Sequence, residues 1–251
     1  MLDNKNYSES IIKYELAQVY EEKYTGTEYS SHFNKGVNSK IGNANNLLKE
    51  YKAEQERLEK ERRAREAAAS AEREKYNGHE YVDLGLSVKW ATCNVGANKP
   101  EDYGNYYAWG ETKTKSDYRS SNSVTFDERF GDIGGKSQYD AACANWGGPW
   151  RLPTKAELQE LNNKCSWTWT TQNGKMGYKV TGPNGNSIFL PATGYRYGSS
   201  LLFAGESGNY WSSTPYESNS YRAYDLNVYS GGQSVDWNDR SFGRSVRPVA
   251  E

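Results

Sequence analysis

The sequence predicts an α+β domain of about 175 residues carried behind a helical N-terminal arm. Three observations lead there. All eight Trp and all seven Pro lie beyond residue 89, and 21 of the 24 Gly lie beyond residue 75, so the first 75 residues are a different material from the rest. Beyond residue 77, helical patterns come early and strand patterns come late, the order expected of segregated α and β elements. A segment of that length can bury a sizeable core. The expected divisions are 1–46, an N-terminal helix and polar linker; 47–76, a charged helical spacer; and 77–251, the folded domain.

In the arm, residues 7–24 carry Ile12, Leu16, Val19 and Lys23 on one stripe, with Ile11 and Tyr20 beside it and Gly26 placed to cap the helix. A lone helix this short is marginal in water, so its stripe needs a partner, and the arm is read as a tether to a larger assembly. Residues 26–46 are polar and rich in Gly and Asn. From 47 to 75 the chain holds nine basic and eight acidic residues, with Glu56/Lys60, Glu59/Arg63 and Glu61/Arg65 in the favourable i,i+4 order. Ala44, Tyr51 and Leu58 keep heptad step, but Arg65 and Glu72 then occupy that seam. This reads as a solvated spacer of roughly 40 Å at the usual helical rise, or as a charged helix packed by its Leu/Tyr end only.

In the domain, residues 80–92 read as two strands about Gly85, and 106–111 as a further apolar-aromatic element. Residues 112–135 look like a long surface loop, and 139–145 like a short helix closed by Gly147. The sharpest local signal is Trp150-Arg-Leu-Pro-Thr-Lys-Ala-Glu157. Thr154 and Glu157 form a capping box, and Leu158 and Leu161 give the helix an inward face. Strands follow at 187–193, 208–214, 222–230, 233–237 and 244–249, with Gly231-Gly232 as a hairpin loop.

Several function classes fall away. Net charge is −1 without a basic tract, so nothing argues for nucleic acid. No run of about 18 apolar residues predicts a membrane span, and the start has no signal-peptide pattern. Cytoplasmic synthesis is expected, with virion assembly and lysis as one route out. Cys93, Cys143 and Cys165 form no C-x-x-C pair and are expected as free thiols. His32 and His79 are the only histidines, and a Ser-His-Asp or zinc site needs His79 on an active face. Asp127, Glu128 and Asp132 read as a solvated acidic loop. Neither catalysis nor a cofactor is expected.

Residues 216–242 stand apart. Tyr, Ser, Asn, Asp and Gly fill 17 of 27 positions, a mixture that suits recognition loops and, equally, ordinary turns and strands. On the recognition reading the contact residues are Tyr216, Glu217, Asn219, Tyr221, Tyr229, Ser234, Asp236, Trp237, Asn238, Asp239, Ser241 and Phe242. Strand alternation puts Ala223, Asp225, Asn227 and Tyr229 on one face and Tyr224 with Leu226 and Val228 on the core face.

The motifs Tyr81-Val-Asp-Leu-Gly-Leu-Ser-Val-Lys-Trp-Ala, Tyr106-Tyr-Ala-Trp-Gly-Glu, Arg151-Leu-Pro-Thr, Leu190-Pro-Ala-Thr-Gly-Tyr-Arg196, Tyr210-Trp-Ser-Ser-Thr and Ser245-Val-Arg-Pro-Val, in this order, resemble the Fibrobacter succinogenes major paralogous domain family. The resemblance covers some two-thirds of the chain and leaves the arm outside. It implies a C-type-lectin-like fold whose termini meet in one sheet and whose loops are displayed on one face. It is particularly similar to the variable proteins of diversity-generating retroelements in gut Bacteroidetes or their phages, where adenine mutagenesis diversifies a C-terminal binding face. On that footing Arg151, Leu152, Pro153, Thr154, Glu157, Trp211 and Arg247 belong to the fixed frame. A protein or glycan on a cell surface is the implied partner, and a homo-oligomer is compatible. A sequence-fixed structural subunit and a calcium-dependent glycan lectin are the alternatives. The formylglycine-generating branch of the fold needs a C-terminal cysteine pair for copper, and this chain has no cysteine beyond Cys165. Trp237-Asn238-Asp239 spells the calcium tripeptide of C-type lectins. Calcium takes roughly six to eight oxygens and the usual partner motif is missing, so an exposed turn is expected there.

Overall fold

The computed structural model describes Asn46, residues 49–63 and residues 75–251. The expected 7–24 helix, the linker up to residue 45 and the stretch 64–74 of the spacer lie outside these residues. Contacts divide the chain into Met1–Glu72 and Arg73–Glu251.

Within the first unit, residues 49–63 are helical. Glu59 binds Arg62 at 2.7 Å and Arg63 at 2.9 Å, and these hydrogen bonds hold its carboxyl down at about 2. Leu58 is exposed and Tyr51 half-buried on this charged helix.

The second unit is α+β, built from antiparallel sheets and two α-helices. Strands β1 (Lys75–Tyr76), β2 (His79–Val82), β3 (Lys89–Ala91) and β12 (Val249–Ala250) pair in the order β1-β2-β3-β12, so the beginning and end of the unit share one sheet. Lys75 pairs with Glu80 and Tyr76 with His79. The division expected at 76/77 is therefore too late, because Lys75 and Tyr76 are strand rather than spacer helix.

Helix α1 (Ala141–Trp146) starts at Asp140, whose carboxylate accepts from Ala142 N at 2.8 Å and Cys143 N at 3.1 Å, and ends at Gly147 with φ 63°. Helix α2 (Lys155–Lys164) has the expected capping box: Thr154 Oγ1 accepts from Glu157 N at 3.2 Å and Glu157 accepts from Thr154 N at 2.7 Å. Leu158 and Leu161 are buried beneath it.

After α2 come β4 (Ser166–Gln172), β5 (Lys175–Thr181) and β6 (Ser187–Pro191) in one sheet, then the β7 (Tyr195–Tyr197) and β8 (Ser200–Leu202) hairpin. The β4–β5 hairpin adds to the elements expected. It turns at Asn173 (φ 46°) and Gly174 (φ 80°), the two positive φ values that a tight primed turn requires. The last sheet is β11-β10-β9, from β9 (Ser207–Pro215), β10 (Arg222–Tyr229) and β11 (Gly232–Asp239).

Two expectations give way. Residues 244–249 are not one strand: Arg244 bridges Tyr107, Ser245 bridges Tyr210 and Val249 bridges Arg151, so each residue meets a different segment. The 112–135 loop is not merely superficial, because Tyr118, Thr125 and Ile133 are buried and Phe130 packs edge-on against Trp109 and Tyr139.

Sheet β11-β10-β9 separates two core clusters. Trp109, Trp150, Trp211, Val246 and Ala223 lie in one, and Trp90, Leu158, Leu161, Tyr210, Leu226 and Val228 in the other. Strand β10 is thus buried on both faces over Ala223–Leu226, against the single outward face that alternation suggests; Asn227 and Tyr229 alone keep exposure on the Ala223 side.

Candidate functional site

The frame comes first. Arg247, 1% exposed, donates from Nε to Asn94 Oδ1 (2.8 Å), from Nη1 to the carbonyls of Ala91 (3.0 Å) and Thr92 (2.6 Å), and from Nη2 to Phe189 O (2.9 Å). One guanidinium thereby ties β3, the following turn and β6 to the C-terminal segment. Arg151 grips Glu157 through both oxygens at 2.8 and 2.7 Å, while its backbone exchanges hydrogen bonds with Val249. Leu152 N donates to Asp140 and Pro153 O accepts from Ser213 N. Trp211 is buried and its Nε1 donates to Tyr107 O at 2.8 Å.

Against this frame the chain makes an open turn between β9 and β10. Tyr216 N bonds Arg222 O at 3.0 Å, Arg222 N bonds Asn219 O at 3.2 Å, and the Asn219 side chain accepts from Tyr221 N at 2.8 Å. With Arg129, Phe130, Gly131 and Asp132 this turn encloses a cleft of about 630 Å³, into which Tyr216, Glu217, Ser218, Asn219, Ser220, Tyr221 and Arg240 face. That volume is in the range of small-molecule sites. The acidic loop serves as bracing: Asp127 accepts from Ser220 Oγ (2.8 Å), Asp132 from Thr214 Oγ1 (2.8 Å) and Gly134 N (2.9 Å), and Glu128 offers its carbonyl to Arg240.

Aromatic rings stiffen both walls. Tyr216 stacks on Trp237 (5.1 Å between centroids) and meets Tyr224 edge-on, while the Arg222 guanidinium covers Trp237 at 3.9 Å. Tyr221, 40% exposed, leans on Phe126. Tyr224 is buried, donates to Glu217 and carries Lys155 Nζ over its ring at 3.7 Å.

Two buried arginines lie behind the sheet. Arg244, 2% exposed, reaches Asp225, Asn209 Oδ1 (2.6 Å) and Asn227 Oδ1 (3.4 Å), and its plane covers Trp211. Arg240, 1% exposed, holds three carbonyls instead: Arg222 O (3.0 Å), Thr125 O (3.3 Å) and Glu128 O (2.8 Å). Burial pushes its pKa down to about 10, which still leaves it charged at neutral pH.

The expected contact residues therefore do not form one patch. Tyr216, Glu217, Asn219 and Tyr221 share the cleft, and Trp237 backs it. Ser234, Asp236 and Asn238 alternate on the Asp225 face of β11, where Asn238 Nδ2 donates to Asp225 at 3.0 Å. Asp239 accepts from Ser241 N and Oγ. Ser241 is 2% exposed and engaged with Asp239, which corrects its assignment as a contact residue. Phe242 stacks on Tyr195 at 5.5 Å. Tyr229, 52% exposed, sits at the far end of β10, about 20–25 Å from the turn by strand rise, in a second cleft of about 500 Å³ with Trp169, Met176 and Phe203.

Sequence reasoning missed Arg240 and the 129–132 wall. The one available signal was apolar punctuation, Phe126, Phe130 and Ile133, inside a polar loop. Among the described residues no three His, Cys, Asp or Glu gather as a metal group. His79 lies flat on Trp146 at 3.8 Å, within the terminal sheet and not on the cleft lining. The three thiols are unpaired and burial raises each of them, Cys165 to about 11, the opposite of an activated nucleophile. No helix among the described residues is long and apolar enough to cross a membrane.

A protein-family model described as a domain of unknown function, DUF8237, matches residues 155–249, from the start of α2 to the start of β12. No curated protein and no solved structure matches the chain.

Proposed function

We propose that this chain is a non-enzymatic ligand-binding protein of the C-type-lectin-like kind, displaying the 216–221 turn and the outer positions of β10–β11 to a protein or glycan on a cell surface. The N-terminal arm tethers it to a larger assembly such as a phage tail. The observation that carries this reading is the division of labour across one strand boundary. Ser212 and Ser213 are fully buried, whereas Glu217, Ser218 and Tyr221 a few residues on are exposed around a cleft. A rigid frame that presents adaptable Tyr, Ser and Asn side chains is what a recognition surface requires. The meeting of β1–β3 with β12 in one sheet further supports the resemblance to lectin-like domains.

Deep sequencing of the gene's 3′ end across a source population is the direct test. Substitutions concentrated at 217, 218, 221, 229, 234 and 236, with 223, 225, 240, 241 and 244 untouched, are expected. An even scatter, or none, removes the diversified reading. A second reading, a sequence-fixed structural subunit, is favoured by the exposed Tyr197, Leu201 and Phe203 on and beside the β7–β8 hairpin. It predicts a self-association, seen by sedimentation, that Phe203→Ser abolishes.

A further inference from the structure

Arg240 is an unusual wall for a cleft. It is 1% exposed, and no carboxylate among the described residues lies within salt-bridge distance of it. A guanidinium has five N–H donors in a planar fork. Nε and Nη1 are matched to the carbonyls of Arg222, Thr125 and Glu128, and the ring of Trp109 lies 4.2 Å from the guanidinium carbon. Nη2 has no protein partner among the described residues, yet it is not one of the sealed, unpartnered atoms of the interior. The residue lines the 630 Å³ cleft. A buried cation held only by neutral groups is costly, and an arriving anion relieves that cost through a short charge-assisted bond.

We infer that the cleft between the 216–221 turn and the 129–132 loop binds an oxyanion, a carboxylate or sulfate carried on a sugar, with Arg240 Nη2 as its principal donor. The inference rests on the reading of this turn as a ligand-display surface. The cleft is far larger than an ion needs, and Tyr216, Tyr221 and Phe130 line it together with Asn219, whose amide suits sugar hydroxyls. Arg129 on the rim is exposed and forms no ion pair among the described residues. Asp132 and Glu217 balance the two arginines in formal charge, so selectivity comes from donor placement and not from a net positive field. Both carboxylates are already bonded, Asp132 to Thr214 and Glu217 to Tyr224.

The test uses the full chain and three probes on a common ring: glucuronate, glucose 6-sulfate and glucose. Arginine side-chain and backbone amide NMR signals are followed during millimolar titrations. Glucuronate or glucose 6-sulfate, whichever is the better source of the oxyanion, is expected to shift Arg240, Arg129 and residues 217–221, with glucose weaker by roughly tenfold or more. Arg240→Lys keeps the charge but loses the fork, and a comparable weakening is expected. Because Arg240 also braces the fold, Ser218→Asp serves as the second variant: exposed and structurally neutral, it places a carboxylate at the cleft and is expected to weaken the anionic probes alone. Equal binding of glucose and glucuronate, no shift at Arg240 with either anion, or anion binding indifferent to Ser218→Asp overturns the inference. Capture of a natural partner that depends on Tyr221 but not on Arg240 sinks the anion site and leaves the display surface standing. Anion binding at Arg240 with partner capture indifferent to the whole turn does the reverse.

Discussion

Arg240, Arg244 and Arg247 are each at most 2% exposed, and of the three only Arg244 meets a carboxylate among the described residues. The other two are held by carbonyls and an amide, which fixes geometry without neutralising charge. This difference sets what each substitution does. Asp225→Ala leaves Arg244 buried beside Asn209 and Asn227 with no paired carboxylate and only Asp239, which does not touch it, as counter-charge, and breaking a buried pair from one side costs about 3–5 kcal/mol. Urea unfolding of Asp225→Ala should show a loss of that size, and a loss under about 1 kcal/mol would mean that the site admits water. Asn238→Ala removes one donor to Asp225, for which about 1 kcal/mol is expected. It should not alter any response to calcium, because Asn238 faces Asp225 and Asp239 already serves Ser241. Calcium-dependent stabilisation that disappears in Asn238→Ala would reverse this assignment. Arg247 stands inside the Ser245–Val249 motif, which marked it out in the sequence. Arg240 and Arg244 stand in no motif, and a lone arginine in a polar stretch gives no sign of the carbonyls and amides that the fold gathers around it, while Ser241 was misread because composition cannot tell a displayed serine from one buried against its neighbour.

At the scale of elements, the 216–221 turn and the strand it feeds obey different rules. The turn is held by backbone bonds and the Asn219 side chain, and by Glu217, which accepts from the buried Tyr224, so Ser218 contributes little to it. Ser218→Ala should stay within about 0.5 kcal/mol of the parent by thermal unfolding, as exposed sites without special roles do. Ala223, at the start of the strand that follows, is fully buried, and Ala223→Val is expected to cost about 1–3 kcal/mol through overpacking. Equal effects at the two places would dissolve the distinction between displayed turn and fixed strand. Alternation misjudged β10 because it presumes one wet face, whereas Ala223 packs with Trp211 and Leu226 with Tyr210. The β4–β5 hairpin, in contrast, was readable. Asn173-Gly174 between alternating Trp and Thr is a strong hairpin signature, and its omission lies in the reading and not in the residues. The 244–249 segment was not readable, because its bridges go to three separate segments and leave no periodicity.

Across the whole domain, closure depends on two residues at its end. Val249 and Ala250 are fully buried, and Val249 exchanges two backbone hydrogen bonds with Arg151 at 3.0 and 2.9 Å while pairing with Trp90. That contact joins the capped α2 segment to the first sheet, and the Arg247 network lies two positions before it. Burial of the valine side chain contributes about 1.5–3 kcal/mol and two net hydrogen bonds about 1 kcal/mol each. Ending the chain at Pro248 should therefore cost about 4 kcal/mol. For a domain of this size that corresponds to a fall in Tm of about 10 °C or more. Glu251→Ala is the matched control, because its 3.8 Å approach to Arg151 is made by a side chain 88% exposed and such pairs contribute little. A truncated chain that melts with the control would show the β3–β12 pairing to be a decoration on a domain closed by Arg247. A fall of the expected size would make the C-terminal strand the clasp that lets the 216–221 turn vary without loosening the frame beneath it.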